Sequence, residues 1–110
     1  MSETADKVKE IFDEMPGRLN ADAASGLDIV IQHSLAGEGG GEYYVSIKDG
    51  ACSISEGTHD SPSMGLNMEA SDFVGLTTGE LDPMGAFMSG KLKVTGDMSI
   101  AMKMQSLFAG

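Results

Sequence analysis

The dipeptide Asp49-Gly50 sits between two short runs of strand-forming sequence, Glu42 to Lys48 and Ala51 to Glu56. A two-residue hairpin turn needs positive φ at both central positions, which Gly adopts freely and Asp tolerates, so this is the strongest short-range hairpin signal a sequence can carry. The two runs are therefore antiparallel neighbours, and the remaining elements must be arranged around that pair.

Further period-two patterns extend the sheet. From Leu27 to Leu35, the residues Leu27, Ile29, Ile31 and Leu35 alternate with Asp28, Gln32 and Ser34, as a half-buried strand requires, and His33 falls on the apolar face. Met64, Leu66 and Met68 alternate with Gly65, Asn67 and Glu69 in a fourth strand, and Lys91 to Thr95 carries Leu92 and Val94 in a fifth. Helical spacing appears elsewhere. Ala5, Val8, Ile11, Phe12 and Met15 share one side of a helix over residues 3–15, which Met15-Pro16-Gly17 is expected to stop. Residues 18–26 allow a short helical turn before Gly26. Ser71 or Asp72 is placed to cap a helix carrying Phe73, Val74 and Leu76, which Gly79 ends. Asp82-Pro83 opens a second short helix that closes at Gly90, and Asp97 precedes a last helix from Met98 to about Phe108. The glycine run Gly37 to Gly41 and the segment Gly57 to Ser63 read as loops. No repeat or low-complexity linker interrupts the pattern, so residues 1–110 are expected to form one α/β unit.

Composition narrows the classes of function. The 110 residues include 7 Lys+Arg and 17 Asp+Glu, a formal charge of −10, with the cations scattered. Nucleic-acid binding needs clustered Lys and Arg on phosphates, so it is not expected. The same charge opposes lasting contact with anionic lipid surfaces, so membrane contact is expected to be transient at most. One cysteine rules out an internal disulfide framework, and two histidines are too few for a metal cluster. The N-terminus lacks the apolar stretch of a signal peptide and no apolar run nears the roughly 20 residues of a spanning helix, so a cytoplasmic protein is expected. Nine methionines without a tryptophan suit either an ordinary core or one that reshapes around varied contents.

Catalytic chemistry finds little support. Cys52 lies in a strand between Ala51 and Ser53 with no cation or helix N-terminus to lower its pKa, so it reads as inert. His59 and Asp60 occupy a loop without the strand–turn–helix context of a nucleophile elbow. Asp72, Asp82 and Asp97 each precede a helical pattern and read as caps rather than paired acid/base carboxylates. The glycine run lacks the Lys-Ser/Thr ending of a phosphate-binding loop. No cofactor or metal is expected.

The last helix is unusual. At 100° per residue, Leu107, Ile100, Met104, Phe108, Ala101, Gln105, Met98 and Met102 spread over roughly 220°, about twice what packing on one sheet face needs. The surplus must meet a second layer of the chain, a partner subunit or an apolar ligand. Gln105 lies within that arc, where its amide needs either a backbone partner or a polar ligand head.

The run from Asp72 to Met98, above all Gly90-Lys91-Leu92-Lys93-Val94-Thr95-Gly96-Asp97-Met98, together with Ala101-Met102-Lys103-Met104-Gln105, closely resembles the sterol carrier protein type 2 (nonspecific lipid-transfer) family. The order and length of the earlier elements agree with it, although residue identity is weaker before about residue 65. The resemblance implies a five-stranded, mostly antiparallel sheet covered on one face by helices, with an apolar tunnel between the layers for a fatty acid, fatty acyl-CoA, sterol or phospholipid. It further implies that Leu76, Met84, Phe87, Met88, Met98, Met102, Gln105 and Phe108 lie against the ligand, with Gln105 as its polar handle. Lys91, Lys93 and Lys103 are read as solvated lysines, with a spot for an acyl-CoA phosphate as the alternative. The chain ends Phe108-Ala109-Gly110 rather than in a peroxisomal tripeptide, so peroxisomal import is not expected.

The expectation is a monomeric, non-enzymatic lipid carrier. The competing reading is an interaction module or homodimer that uses the apolar last helix without cargo, and a third is a small hydrolase built on Cys52 or a serine.

Overall fold

The computed structural model describes residues 3–97, 99, 100, 103 and 107, with Pro83 described by its backbone alone. In chain order, α1 (Glu3–Arg18) and the single turn α2 (Ala21–Ala24) precede β1 (Asp28–Ala36), β2 (Gly41–Lys48) and β3 (Ala51–Glu56). Next come β4 (Met64–Glu69), α3 (Ala70–Thr78), α4 (Pro83–Met88) and β5 (Leu92–Gly96). Residues 99, 100, 103 and 107 are helical, in agreement with a last helix after Asp97.

The five strands form one sheet in the order β3-β2-β1-β4-β5. β1–β2, β2–β3 and β4–β5 pair antiparallel, whereas β1 and β4 run parallel. The β2–β3 turn is the expected one: Asp49 at φ 54° and Gly50 at φ 77° take the two left-handed positions, with Lys48 opposite Ala51. One face of the sheet carries Ile29, Ile31, His33 and Leu35 of β1, in register with Ile47, Val45 and Tyr43 of β2 and with Met64, Leu66 and Met68 of β4. α1 and α3 cover this face, contributing Val8, Phe12, Met15 and Phe73 to the core. Ile100 and Leu107 of the last helical segment are also buried there, whereas Lys103 is exposed.

Four local expectations are corrected. Met15-Pro16-Gly17 does not stop α1, which continues to Arg18 with Pro16 inside it. Proline's fixed φ is compatible with a helix, and the cost is one lost hydrogen bond near the end. Burial of Phe12 and Met15 holds the turn, and the Arg18–Glu14 ion pair at 3.0 Å spans it. Neither Ser71 nor Asp72 caps α3. The helix starts at Ala70, buried directly after β4, and Glu69 at its N-cap makes no side-chain capping bond. The glycine run is a tight connection rather than a free loop, because a Cβ at Gly40 would run into the Leu35 carbonyl and one at Gly39 would lie 2.6 Å from the Ala5 nitrogen. Finally, Gln32 is not on a solvated face. It is buried beneath the 57–63 segment, which crosses the side of the sheet opposite α1 and α3.

Other local expectations hold. Gly79 at φ 84° ends α3, and Asp82 caps α4 by accepting a hydrogen bond from the Gly85 amide at 2.9 Å, with Pro83 following it. Asp97 accepts from the Ser99 amide at 2.9 Å and from the Ser99 hydroxyl at 2.6 Å, as a residue opening a helix does.

Candidate functional site

The described residues expected to touch a ligand lie on α3, which packs on α1, β1 and β4, and on α4, which packs on β5. Leu76, on α3, is half-buried against the core. α4 is a short helix with only Ala86 buried among its described side chains. Met84, Phe87 and Met88 follow the i, i+3, i+4 rule and so form one stripe, which lies outward with 63%, 44% and 81% of each residue exposed. Leu92 and Val94 of β5 are half-buried beside the core. Met98, Met102, Gln105 and Phe108, the other four expected residues, lie outside the described residues.

Two open clefts appear among the described residues, and neither is lined by any of these positions. One, of ≈ 470 Å³, lies at the C-terminal ends of β1 and β4 and brings Glu42, Glu69 and Asp72 near Lys91 and Lys93. The other, of ≈ 270 Å³, runs between α1 and α3 past Ile11, Arg18 and Val74.

The interior holds one polar side chain in an aromatic setting. His33, 1% exposed, meets the rings of Phe12 and Phe73 edge-on at centroid distances of 5.4 and 5.6 Å. Phe12 in turn stacks on Tyr43 at 4.4 Å and on Phe73 at 5.2 Å. His33 Nδ1 is buried without a hydrogen-bond partner. Removal from water disfavours the imidazolium, and the Ile31 backbone offsets this only in part, so the pKa falls from 6.5 to about 4. His33 is therefore neutral at pH 7, and it lies on the apolar face of β1 as expected.

On the opposite face, Gln32 joins β1 to β2 and to the 57–63 segment. Its Nε2 donates to Glu42 Oε2 at 3.2 Å, the Tyr43 carbonyl at 3.2 Å and the Gly57 carbonyl at 3.0 Å, while its Oε1 accepts from the His59 amide at 2.8 Å. Glu42 Oε2 also accepts from the Ser34 hydroxyl at 2.7 Å. His59 Nδ1 accepts from the Ser61 amide, and its ring meets Tyr44 edge-on at 5.2 Å. That nitrogen is thus occupied by an amide rather than by a hydroxyl it could activate. Burial pushes the Cys52 thiol up, away from the reactive thiolate. Among the described residues no three His, Cys, Asp or Glu side chains are grouped to hold a metal, and no helix is long and apolar enough to cross a membrane. Cys52 is therefore not set up as a thiolate nucleophile, and His59 Nδ1 is not set up as a base.

With that geometry in place, comparison with known proteins is decisive for kinship: the model of the SCP-2 sterol transfer family matches residues 8–109. The chain belongs to the SCP-2 sterol transfer family. A bovine relative, hydroxysteroid dehydrogenase-like protein 2, is 36% identical over 101 residues, covering 91% of this chain but 24% of the relative. The frog protein of that name, from Xenopus tropicalis, is matched over 26% of its length. This family member thus spans about a quarter of the length of the curated relatives it matches. Among solved structures, sterol carrier protein 2-like 2 from Aedes aegypti superposes with a TM-score of 0.78 at 18% identity, covering 94% of both chains. The SCP-2 fold, a five-stranded mixed sheet with helices, is therefore shared by chains whose sequences have diverged widely.

Proposed function

We propose that this SCP-2 chain is a lipid carrier without catalytic chemistry of its own, holding a fatty acid, fatty acyl-CoA, sterol or phospholipid between its helices and its sheet. The observation that carries the reading is the family match over residues 8–109, in a chain whose α4 leaves Met84, Phe87 and Met88 uncovered. Sterol carrier protein 2 from Aedes aegypti, solved in complex with palmitate, shares the fold at a TM-score of 0.65 and 19% identity, which supports an acyl chain as cargo. The tunnel would be lined by Leu76 with Met98, Met102 and Phe108, while Met84, Phe87 and Met88, which lie outward here, would reach the cargo by a turn of α4. Gln105 would bond the polar head.

The energetics suit a carrier. An acyl chain of about 16 carbons at roughly 0.8 kcal/mol per buried methylene gives about 13 kcal/mol gross. Ordering and association costs remove several kcal/mol or more, leaving sub-micromolar to micromolar, reversible binding. Methionine walls repack around differently shaped ligands and favour breadth over selectivity. We place the carrier in the cytoplasm as a monomer.

The test is to denature the purified protein, extract it and identify released lipid by mass spectrometry, alongside uptake of a fluorescent fatty acid. Stoichiometric lipid or saturable uptake is expected, and Gln105→Leu should weaken fatty-acid binding by about tenfold, the worth of one buried hydrogen bond. An empty protein that takes up no fatty acid would overturn the carrier reading. It would leave the uncovered α4 stripe to be explained as a protein-docking surface.

A further inference from the structure

His33 is the exception on the inner face of the sheet. Its neighbours on that face are Ile29, Ile31 and Leu35 along β1, Tyr43 across on β2 and Leu66 across on β4. Phe12 of α1 and Phe73 of α3 meet it edge-on, and no charged side chain among the described residues is buried with it. β1 is the central strand of the five, so His33 stands far from either edge of the sheet. A neutral imidazole carries one N–H and one lone pair. The Ile31 backbone favours the protonated ring, as a carbonyl accepting from a ring N–H does, and because Nδ1 has no partner that bond falls to Nε2. Nδ1 is then a bare acceptor, buried and unused. The surrounding rings do not satisfy it: their faces repel a lone pair, and their C–H edges are far weaker donors than an O–H.

We infer that His33 is a specificity-determining residue whose Nδ1 accepts a hydrogen bond from a hydroxyl on the body or far end of the cargo, so that this chain takes hydroxylated acyl lipids. The inference rests on the carrier reading and narrows its cargo. An acceptor selects for a donor. A carboxylate, an ester carbonyl and a plain acyl chain offer none, so each leaves Nδ1 buried and unpaired. A hydroxyl removes two penalties at once, because it too is costly to bury in an apolar space without a partner. Gln105 takes the polar head in the carrier reading, which leaves His33 for a group elsewhere on the cargo. Lipid lying between helices and sheet reaches this nitrogen when the layer over β1 shifts, and Met15, Met64 and Met68 in the same core are side chains that rearrange readily. Packing alone does not call for an imidazole here, since leucine or phenylalanine would fill the site with no polar atom to bury.

Displacement of a bound fluorescent fatty acid from the full chain compares ω-hydroxypalmitate with palmitate and ricinoleate with oleate, pairs that differ by one hydroxyl at the chain end or in mid-chain. For at least one pair, the ratio of the two affinities should favour the hydroxylated lipid about tenfold more in the wild type than in His33→Phe, the worth of one buried hydrogen bond. Nitrogen NMR of the labelled imidazole gives a readout that packing alone would not move. Nδ1 should be unprotonated in the free protein, and its resonance should move in the hydrogen-bonding direction with the hydroxylated lipid but not with its parent. Equal ratios in the two proteins for both pairs, or a proton found on Nδ1, would overturn the inference. His33→Leu repeats the comparison should the phenyl ring distort the site. Palmitate and oleate test the carrier reading on their own: if they bind and no hydroxyl preference is seen, this inference alone falls, and if neither they nor the fluorescent probe bind, both fall.

Discussion

Burial of His33 makes folding depend on pH in a calculable way. In the unfolded chain its imidazole titrates near 6.5, whereas in the folded core it titrates near 4. Between these values the unfolded state binds the proton and the folded state does not, so stability falls as the pH drops through that window. Above pH 6.5 both states are neutral and the contribution is complete. Below pH 4 both are protonated and the loss stops growing. A difference of about 2.5 units at 1.36 kcal/mol per unit corresponds to about 3 kcal/mol. That is a large share of the roughly 5–15 kcal/mol that stabilises a typical domain. The assay is urea unfolding from pH 7.5 to 4 on the wild type and on His33→Phe, followed by circular dichroism. Carboxylates titrate in both proteins, so the difference between the two curves isolates the imidazole. The substituted phenyl ring would meet the rings of Phe12 and Phe73 and remove the unpartnered Nδ1, so the variant is expected to match or exceed wild-type stability at pH 7. Its advantage should widen by about 3 kcal/mol toward pH 4. Parallel curves for the two proteins would refute the reasoning. His33→Leu repeats the test should the larger phenyl ring overpack the site.

Two further perturbations probe the opposite face and the glycine turn. Gln32→Leu strands the Gly57 carbonyl and the His59 amide and should cost about 2–3 kcal/mol, with faster hydrogen exchange at the His59 amide as the local signature. Unchanged exchange there would mean that Gln32 does not hold the 57–63 segment. Gly40→Ala drives a methyl into the Leu35 carbonyl and should destabilise by about 2 kcal/mol or more, whereas Gly17→Ala, with open space around it, should be neutral or slightly stabilising by thermal melting.

The sheet was legible in the sequence wherever its signal was local. Asp49-Gly50 specifies its own turn, Asp82-Pro83 its own helix start, and alternation in β1 places His33 inward. What escaped depended on partners far along the chain. Nothing near Gln32 announces that Gly57 and His59, 25 and 27 residues later, will arrive to bury it. Pro16 looks like a stop because its local preference is visible and the burial of Phe12 and Met15 is not. Ser71 and Asp72 are competent caps that go unused because Ala70 is drawn into the core one residue too early. At the candidate site, Met84, Phe87 and Met88 were reached only through the family resemblance, and their outward orientation was not legible, since a resemblance names positions without saying what each side chain meets in this chain.

The two sides of the sheet are closed by different forces, and this bears on where cargo can enter. The 57–63 segment is fixed by directional bonds: Gln32 bridges it, Gly57 donates to the Glu42 carbonyl at 2.8 Å, and Ser63 donates to the Val30 carbonyl at 2.8 Å. Sliding it would break several hydrogen bonds at once and leave polar groups buried, which costs the full desolvation of each. The helical side is held mainly by apolar packing, which is not directional and which methionine in particular can rearrange. Within that side, α1 and α3 are anchored by Phe12, Met15 and Phe73, whereas α4 contributes Ala86 as its one buried described side chain. An alanine offers little area to lose, so displacing α4 costs less than displacing α1 or α3. A lipid entering past α4 would therefore displace less buried area than one entering past α1 or α3. Hydrogen exchange orders these elements directly: amides of α4 should exchange faster than those of α1 and α3, and slow together with Leu76 when a fatty acid is bound. Protection on binding that instead appeared at residues 57–63 would place the entrance on the other side of the sheet.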